Sequence, residues 1–212
     1  MDCSSINLVD VAKKFQHKWI FRNINTTLNM GEIVSVTGNN GSGKSTFLKI
    51  LSGHLSPNKG EVVYYDRDKK KIDRDDIYQS LTFAAPYINL MSRLNLKESI
   101  NLYRRFKSLK NGLDTANLID LMQLKHAAHK ELRFYSSGMQ QRVKLAMAIC
   151  SDSSILLLDE PTTNLDKEGM AWYTSILKKY SQNRLIVIAS NEERDFELCN
   201  KSLSILDFKN KK

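Results

Sequence analysis

The stretch "GNNGSGKST", residues 38–46, constrains this chain more than any other. It follows the apolar run "EIVSVT" and leads into "TFLKILSG", which predicts a strand, a glycine-rich loop and then a helix ending at Gly53. Gly38, Gly43, Lys44 and Ser45 satisfy the P-loop spacing G-x4-G-K-S, which chance supplies only rarely in a chain of this length. The loop backbone of Gly38, Asn39, Asn40, Gly41, Ser42 and Gly43 can curl its N–H groups around phosphate oxygens. The helix that starts beside Ser45 and Thr46 offers its N-terminus to the same anion. Lys44 would reach the β and γ phosphates, and Ser45 would ligate magnesium.

Other segments read as the sheet around this loop. Strands are predicted at "EIVSVTG" (32–38), "GEVVYY" (60–65), "SLTFAA" (80–85), "SILLLD" (154–159), "LIVIAS" (185–190) and "SLSILDF" (202–208). Several are continuous apolar runs, as in a parallel sheet covered on both faces. The first thirty residues carry short alternating segments, which suggests a small antiparallel element. Between the third and fourth strands the period changes. "LKESINLYRRFKSL" spaces Ile100, Tyr103 and Phe106 as a helix does, "TANLIDLMQL" does so with Leu118, Ile119 and Met122, and "GMQQRVKLAMAIC" follows. The expectation is one α/β domain, with residues 1–85 and 151–212 as core and a helical insertion over 86–150.

Two further motifs carry chemistry. "ILLLDEPT" is a buried strand ending in Asp159, suited to hold a magnesium-bound water, and Glu160, suited to orient or deprotonate an attacking water. "FYSSGMQQRVKLAMA" places Ser136, Ser137 and Gly138 at the start of a helix, with Ser137 and Gln140 spaced as a capping box. Here the chain resembles the ATP-binding cassette family. That family's signature, Leu-Ser-Gly-Gly-Gln followed by Gln-Gln-Arg, matches "YSSGMQQR" register for register, with Ser137 for the first glycine and Met139 for the last glutamine. "TNLD" resembles the family's D-loop and ends in Asp166.

The resemblance implies a nucleotide-binding domain with a RecA-like core, an antiparallel β element and a helical subdomain bearing the signature. It implies ATP and Mg2+ as ligands, with Ser45 and Asp159 as metal ligands and Lys44, Glu160 and Asn191 as the catalytic set. Phe15, in "KKFQHKW", takes the place of the aromatic that stacks on adenine; Trp19 is the neighbouring alternative. Ser136, Gly138 and Asp166 would complete a second molecule's nucleotide site in a head-to-tail homodimer. Two positions depart from the family. Where its Q-loop glutamine is expected, Ala85 or Pro86 stands, and neither side chain can coordinate a metal. Where its switch histidine is expected stands Asn191, whose amide can donate a hydrogen bond but carries no charge.

The bulk properties bound the function. No run approaches the roughly 18 apolar residues of a membrane span and the start lacks a leader pattern, so a cytoplasmic protein, peripheral to the cytoplasmic face of a membrane, is expected. Cys3, Cys150 and Cys199 fit no paired spacing and read as free thiols, Cys150 in the core. A formal charge of +9 fits a solvated surface, an anionic membrane face or nucleic acid about equally. The leading expectation is the ATPase subunit of a transporter whose transmembrane permease is a separate chain. A slow-turnover nucleotide-dependent clamp, or a soluble cassette acting on nucleic acid or ribosomes, are the alternatives; the absence of a second cassette or long arms counts against nucleic acid as partner.

Overall fold

A computed structural model describes residues 2–209. In chain order they form β1 (Cys3–Phe15), β2 (Lys18–Asn29), β3 (Ile33–Thr37), α1 (Lys44–Leu51), β4 (Lys59–Asp66), β5 (Lys71–Ile72) and β6 (Leu81–Ala84). There follow α2 (Leu96–Tyr103), α3 (Thr115–Leu121), α4 (Ser137–Ile149), β7 (Ile155–Asp159), α5 (Lys167–Tyr180), β8 (Leu185–Ala189) and β9 (Lys201–Ser204). The chain gathers into two compact units. One takes residues 2–83, 153–160 and 183–209; the other takes Ala84–Asp152 and Pro161–Gln182.

The first unit holds two sheets. The antiparallel one runs β2-β1-β4-β5, and the other runs β6-β7-β8-β3-β9, in which β7, β8, β3 and β9 are mutually parallel. β7 and β8 are buried along their whole length, which is why both read as unbroken apolar runs. The "GEVVYY" segment belongs to the antiparallel sheet, as β4 between β1 and β5.

The first two strands are long, 13 and 12 residues, where the sequence suggested short segments. The physical reason is a series of register shifts, between Leu8 and Val11, Val11 and Lys13, and Lys13 and Lys14. Asp10 sits at one of them with φ 50. Each shift flips the in/out alternation, so a continuous strand looks fragmented in sequence. The segment "SLSILDF" is strand only to Ser204, and Ile205–Phe208 form a 3-10 turn. β9 pairs with β3 alone, and their last pair is Thr37 with Ser204. Beyond it β3 has bent away into the glycine loop and leaves nothing to pair with.

One core joins α1 to both sheets: Phe47, Leu48, Ile50 and Leu51 pack with Phe21, Val34, Val36, Leu157 and Val187. The Phe21 and Phe47 rings meet edge to face with centroids 6.1 Å apart, which fixes the helix that follows the loop. Cys3, Cys150 and Cys199 are not joined in disulfides, and burial pushes the Cys3 and Cys199 thiols up to about 11, so both are poor nucleophiles at neutral pH.

The second unit is helical. Leu96 and Ile100, Leu118 and Met122, and Val143, Ala146 and Ile149 are all buried. Trp172 of α5 donates its indole N–H to the Leu121 carbonyl at 2.7 Å. α2 ends at Tyr103, earlier than its spacing suggested. Arg105 and Phe106 close i→i−3 bonds to Leu102 and Tyr103, so the helix tightens out of register, and Phe106 is 78% exposed.

Replacing Phe47 with Ala should cost about 3–5 kcal/mol of stability, the range for emptying a packed aromatic site. A chemical-denaturation midpoint unchanged from the parent would show that α1 is not anchored through this ring.

Candidate functional site

The glycine loop connects β3 to α1 within the first unit. Gly43 precedes the helix with φ 114, and a Cβ there would lie 2.4 Å from Ile20 Cγ2, so only glycine lets β2 pass beneath the loop. Lys44 opens the helix and is almost wholly buried. Its Nζ donates to the Gly38 carbonyl at 2.8 Å and to Asn191 Oδ1 at 2.5 Å, and it pairs with Glu160 Oε1 at 3.6 Å. These partners come from the loop, from the chain just past β8, and from the chain just past β7.

Glu160 takes φ 46, a left-handed backbone uncommon for a side chain of its size. Its N–H donates to the Ala189 carbonyl at 2.7 Å, and the buried Ser190 donates its hydroxyl to Glu160 Oε2 at 3.3 Å. Asp159, one residue earlier, is buried in β7 opposite Ala189 of β8. Asn191 Nδ2 donates to Asn40 Oδ1, so its amide bridges Lys44 and the loop. Thus Gly38, Asn40, Lys44, Glu160 and Asn191 form one hydrogen-bonded group. Asn39, Asn40, Ser190, Asn191 and Phe196 border a cavity of about 640 Å3. Ser45 and Thr46 lie in the first turn of α1, partly buried. Gly41 is exposed, and Ser42 is buried with its N–H on the Asn39 carbonyl.

The two aromatics near the loop differ. Trp19 is engaged, with the Arg22 guanidinium 4.1 Å and Lys14 5.4 Å from its ring centre. Phe15, at the end of β1, is 48% exposed with Lys13 5.3 Å from its ring. Phe15 is the more exposed of the two rings, and Ile20, in the same hairpin, lies against the Gly43 position.

The second unit brings together Ser136, Gly138 and Asp166. They border one cavity of about 490 Å3 with Asn164, Arg142 and Met139. Ser136 is the N-cap of α4 and accepts from the Met139 N–H at 3.2 Å; Ser137 is the first helical residue. This corrects the capping box expected of Ser137 and Gln140. The Gln140 amide donates instead to the Leu132 and Tyr135 carbonyls. Asp166 caps α5 through the Gly169 N–H at 2.7 Å. A Cβ on Gly138 would lie 3.0 Å from the Asn164 carbonyl, so its glycine lets the two loops approach. Asn164 itself has φ 66. At the Q-loop position Ala85 is buried, and the Pro86 carbonyl accepts from Lys144 Nζ of α4 at 3.0 Å. Burial holds the Lys144 ammonium below the usual lysine range.

Sequence reasoning missed Ser190, Asn164 and Arg142 as members of these groups. Ser190 had a signal, since it stands between a strand's carboxyl end and Asn191. Asn164 and Arg142 had only their neighbours.

Comparison with known proteins agrees with the geometry. The sequence profile described as ABC transporter matches residues 21–163. ABC transporter I family member 1 of Arabidopsis thaliana is 30% identical over 181 residues, covering 84% of this chain and 78% of that protein. The macrolide export ATP-binding/permease protein MacB of Campylobacter jejuni is 27% identical over 197 residues, covering 89% of this chain and 31% of that protein. Among solved structures, an ATP-binding cassette dimer in a post-hydrolysis state bound to ADP and Pi superposes with a TM-score of 0.81. It is 25% identical and covers 98% of this chain and 97% of that one.

Replacing Lys44 with Ala should weaken ATP binding at least about 100-fold, since charge-assisted bonds to the phosphates are lost. Calorimetric titration giving the parent dissociation constant would show that Lys44 does not meet the nucleotide.

Proposed function

Because the chain belongs to the ABC transporter family, we propose that this ATP-binding, ATP-hydrolysing subunit acts as a head-to-tail pair that drives a separate membrane permease. The observation that carries the chemical part is that Glu160 and Asn191 both reach the Lys44 ammonium. Lys44 then marks where phosphate charge sits, and Glu160 is the carboxylate poised beside it to orient the attacking water. Ser190 and the Ala189 carbonyl hold Glu160 in place. Phe15 stacks on adenine, and the loop backbone from Gly38 to Thr46 cradles the phosphates.

The hydroxyl of Ser45 and the buried carboxylate of Asp159 are hard oxygen donors, a set that fits Mg2+. Bound there, Mg2+ would neutralise charge on the β and γ phosphates. Asn191 serves as a neutral donor to the γ phosphate. Ser136 and Gly138, at the start of α4, and Asp166 serve the nucleotide of the second copy, where a helix N-terminus suits an anion. Turnover is slow for the family, because Asn191 adds no charge and Ala85 and Pro86 offer no metal ligand.

The permease reading is supported by MacB, whose name joins ATP binding and permease in one protein. Among the described residues no helix is long and apolar enough to cross a membrane; in the proposed arrangement the permease is a separate chain and this one sits on its cytoplasmic face. A crosslink from residues 86–106 to a membrane protein would support the permease reading, and recovery only with ribosomes or DNA would overturn it.

Replacing Glu160 with Gln should slow hydrolysis by about 10²–10⁴-fold and accumulate an ATP-bound dimer. Light scattering that shows only monomer in excess ATP would count against Glu160 as the base. Replacing Asn191 with His should change the single-turnover hydrolysis rate, since an imidazole can add charge where the amide cannot. A parent-like rate would remove position 191 from the site.

A further inference from the structure

The side chain at position 191 is an amide, and an amide presents two edges of opposite hydrogen-bonding character. A half turn about its last bond exchanges a double acceptor for a double donor at almost the same shape. An oxygen turned toward a phosphate repels it; the NH2 attracts it. Something must therefore choose the edge.

Two neighbours make that choice here, and they agree. The Lys44 ammonium has donors only, so the Asn191 atom 2.5 Å from it is the oxygen. The other end of the amide is then the NH2, and it meets Asn40 Oδ1. Lys44 can orient Asn191 only while its N–H groups are not given to phosphate. Once the phosphates take Lys44, Asn40, whose Oδ1 already accepts from the Asn191 NH2, is the partner that remains.

We infer that Asn40 is a positioning residue: by accepting one N–H of Asn191, it keeps the NH2 edge of that amide toward the nucleotide and leaves the second N–H for a phosphate oxygen. This rests on the reading of Asn191 as the donor to the γ phosphate. Asn40 stands in the phosphate-binding loop itself, so the group that orients Asn191 is fixed relative to the bound phosphates. Its side chain is exposed, and removing it leaves the loop backbone N–H groups in place. Orientation of Asn191 and binding of ATP are therefore separable.

The test is a double-mutant cycle in the full chain, measuring ATP dissociation constants and single-turnover hydrolysis of Mg-ATP for Asn40→Ala, Asn191→Ala and the pair. Each single substitution should slow hydrolysis about tenfold, the worth of one hydrogen bond near 1.4 kcal/mol, with the dissociation constant within about twofold of the parent. The double variant should be no slower than either single one, because Asn40 acts only through Asn191. If the two factors multiply, or if Asn40→Ala hydrolyses at the parent rate while Asn191→Ala is slow, Asn40 does not position Asn191, and the reading of Asn191 survives. If Asn40→Ala instead weakens ATP binding and recovers the parent rate at saturating nucleotide, its role is binding alone. If Asn191→Ala hydrolyses at the parent rate, the γ-phosphate reading fails and the role of Asn40 falls with it.

Discussion

The site is organised around a buried positive charge. Lys44 is 5% exposed, and an ammonium taken out of water costs several kcal/mol unless it is paired and hydrogen-bonded. The protein meets that cost with a carbonyl from the glycine loop, an amide oxygen from beyond β8 and a carboxylate from beyond β7. Three chain ends that are far apart in sequence are thereby held to one atom. On the proposed function, ATP binding would be an exchange of partners: phosphate oxygens would replace the Asn191 oxygen and part of the Glu160 charge, so that the ammonium is satisfied at either stage.

The same constraint accounts for the strain at Glu160. Its φ of 46 is unfavourable for a side chain, and it persists where the surroundings over-determine it. The Glu160 N–H is held by the Ala189 carbonyl, and its carboxylate is held by Ser190 and attracted by Lys44. A left-handed residue directly after β7 turns the chain sharply, so Asp159 stays buried in the sheet while Glu160 points toward Lys44. Two adjacent carboxylates thus occupy different environments, which is what separate roles for metal and water require.

How much of this could be read from the sequence depended on how local each constraint is. The glycine loop between β3 and α1 was legible because the spacing of Gly43, Lys44 and Ser45 is local. β7 and β8 were legible because burial on both faces leaves an apolar run. The bulged β1 was not, because register shifts against β2 erase the alternation that marks a strand. The end of β9 was not, because it depends on where β3 leaves the sheet. The cap of α4 was displaced by one residue, from Ser137 to Ser136, since two adjacent serines satisfy the same local rule and only the backbone angles separate them. The pairing of Asn40 with Asn191 spans 151 positions, and no local pattern announces it.

Position 191 shows what the substitution of an amide changes physically. A histidine there would titrate near pH 6.5 and could add positive charge where the γ phosphate gathers negative charge. Asn191 does neither at any ordinary pH. On the proposed function, stabilisation of that charge would rest on Lys44, on the metal that Ser45 and Asp159 would hold, and on the second copy's α4 N-terminus. Directionality of hydrogen bonds has to replace charge at this one position. Directionality is only as good as the group that enforces it, so a neutral switch residue places a greater demand on its neighbours than a cationic one would. In this chain the neighbour that can meet the demand after Lys44 has turned to the phosphates is Asn40.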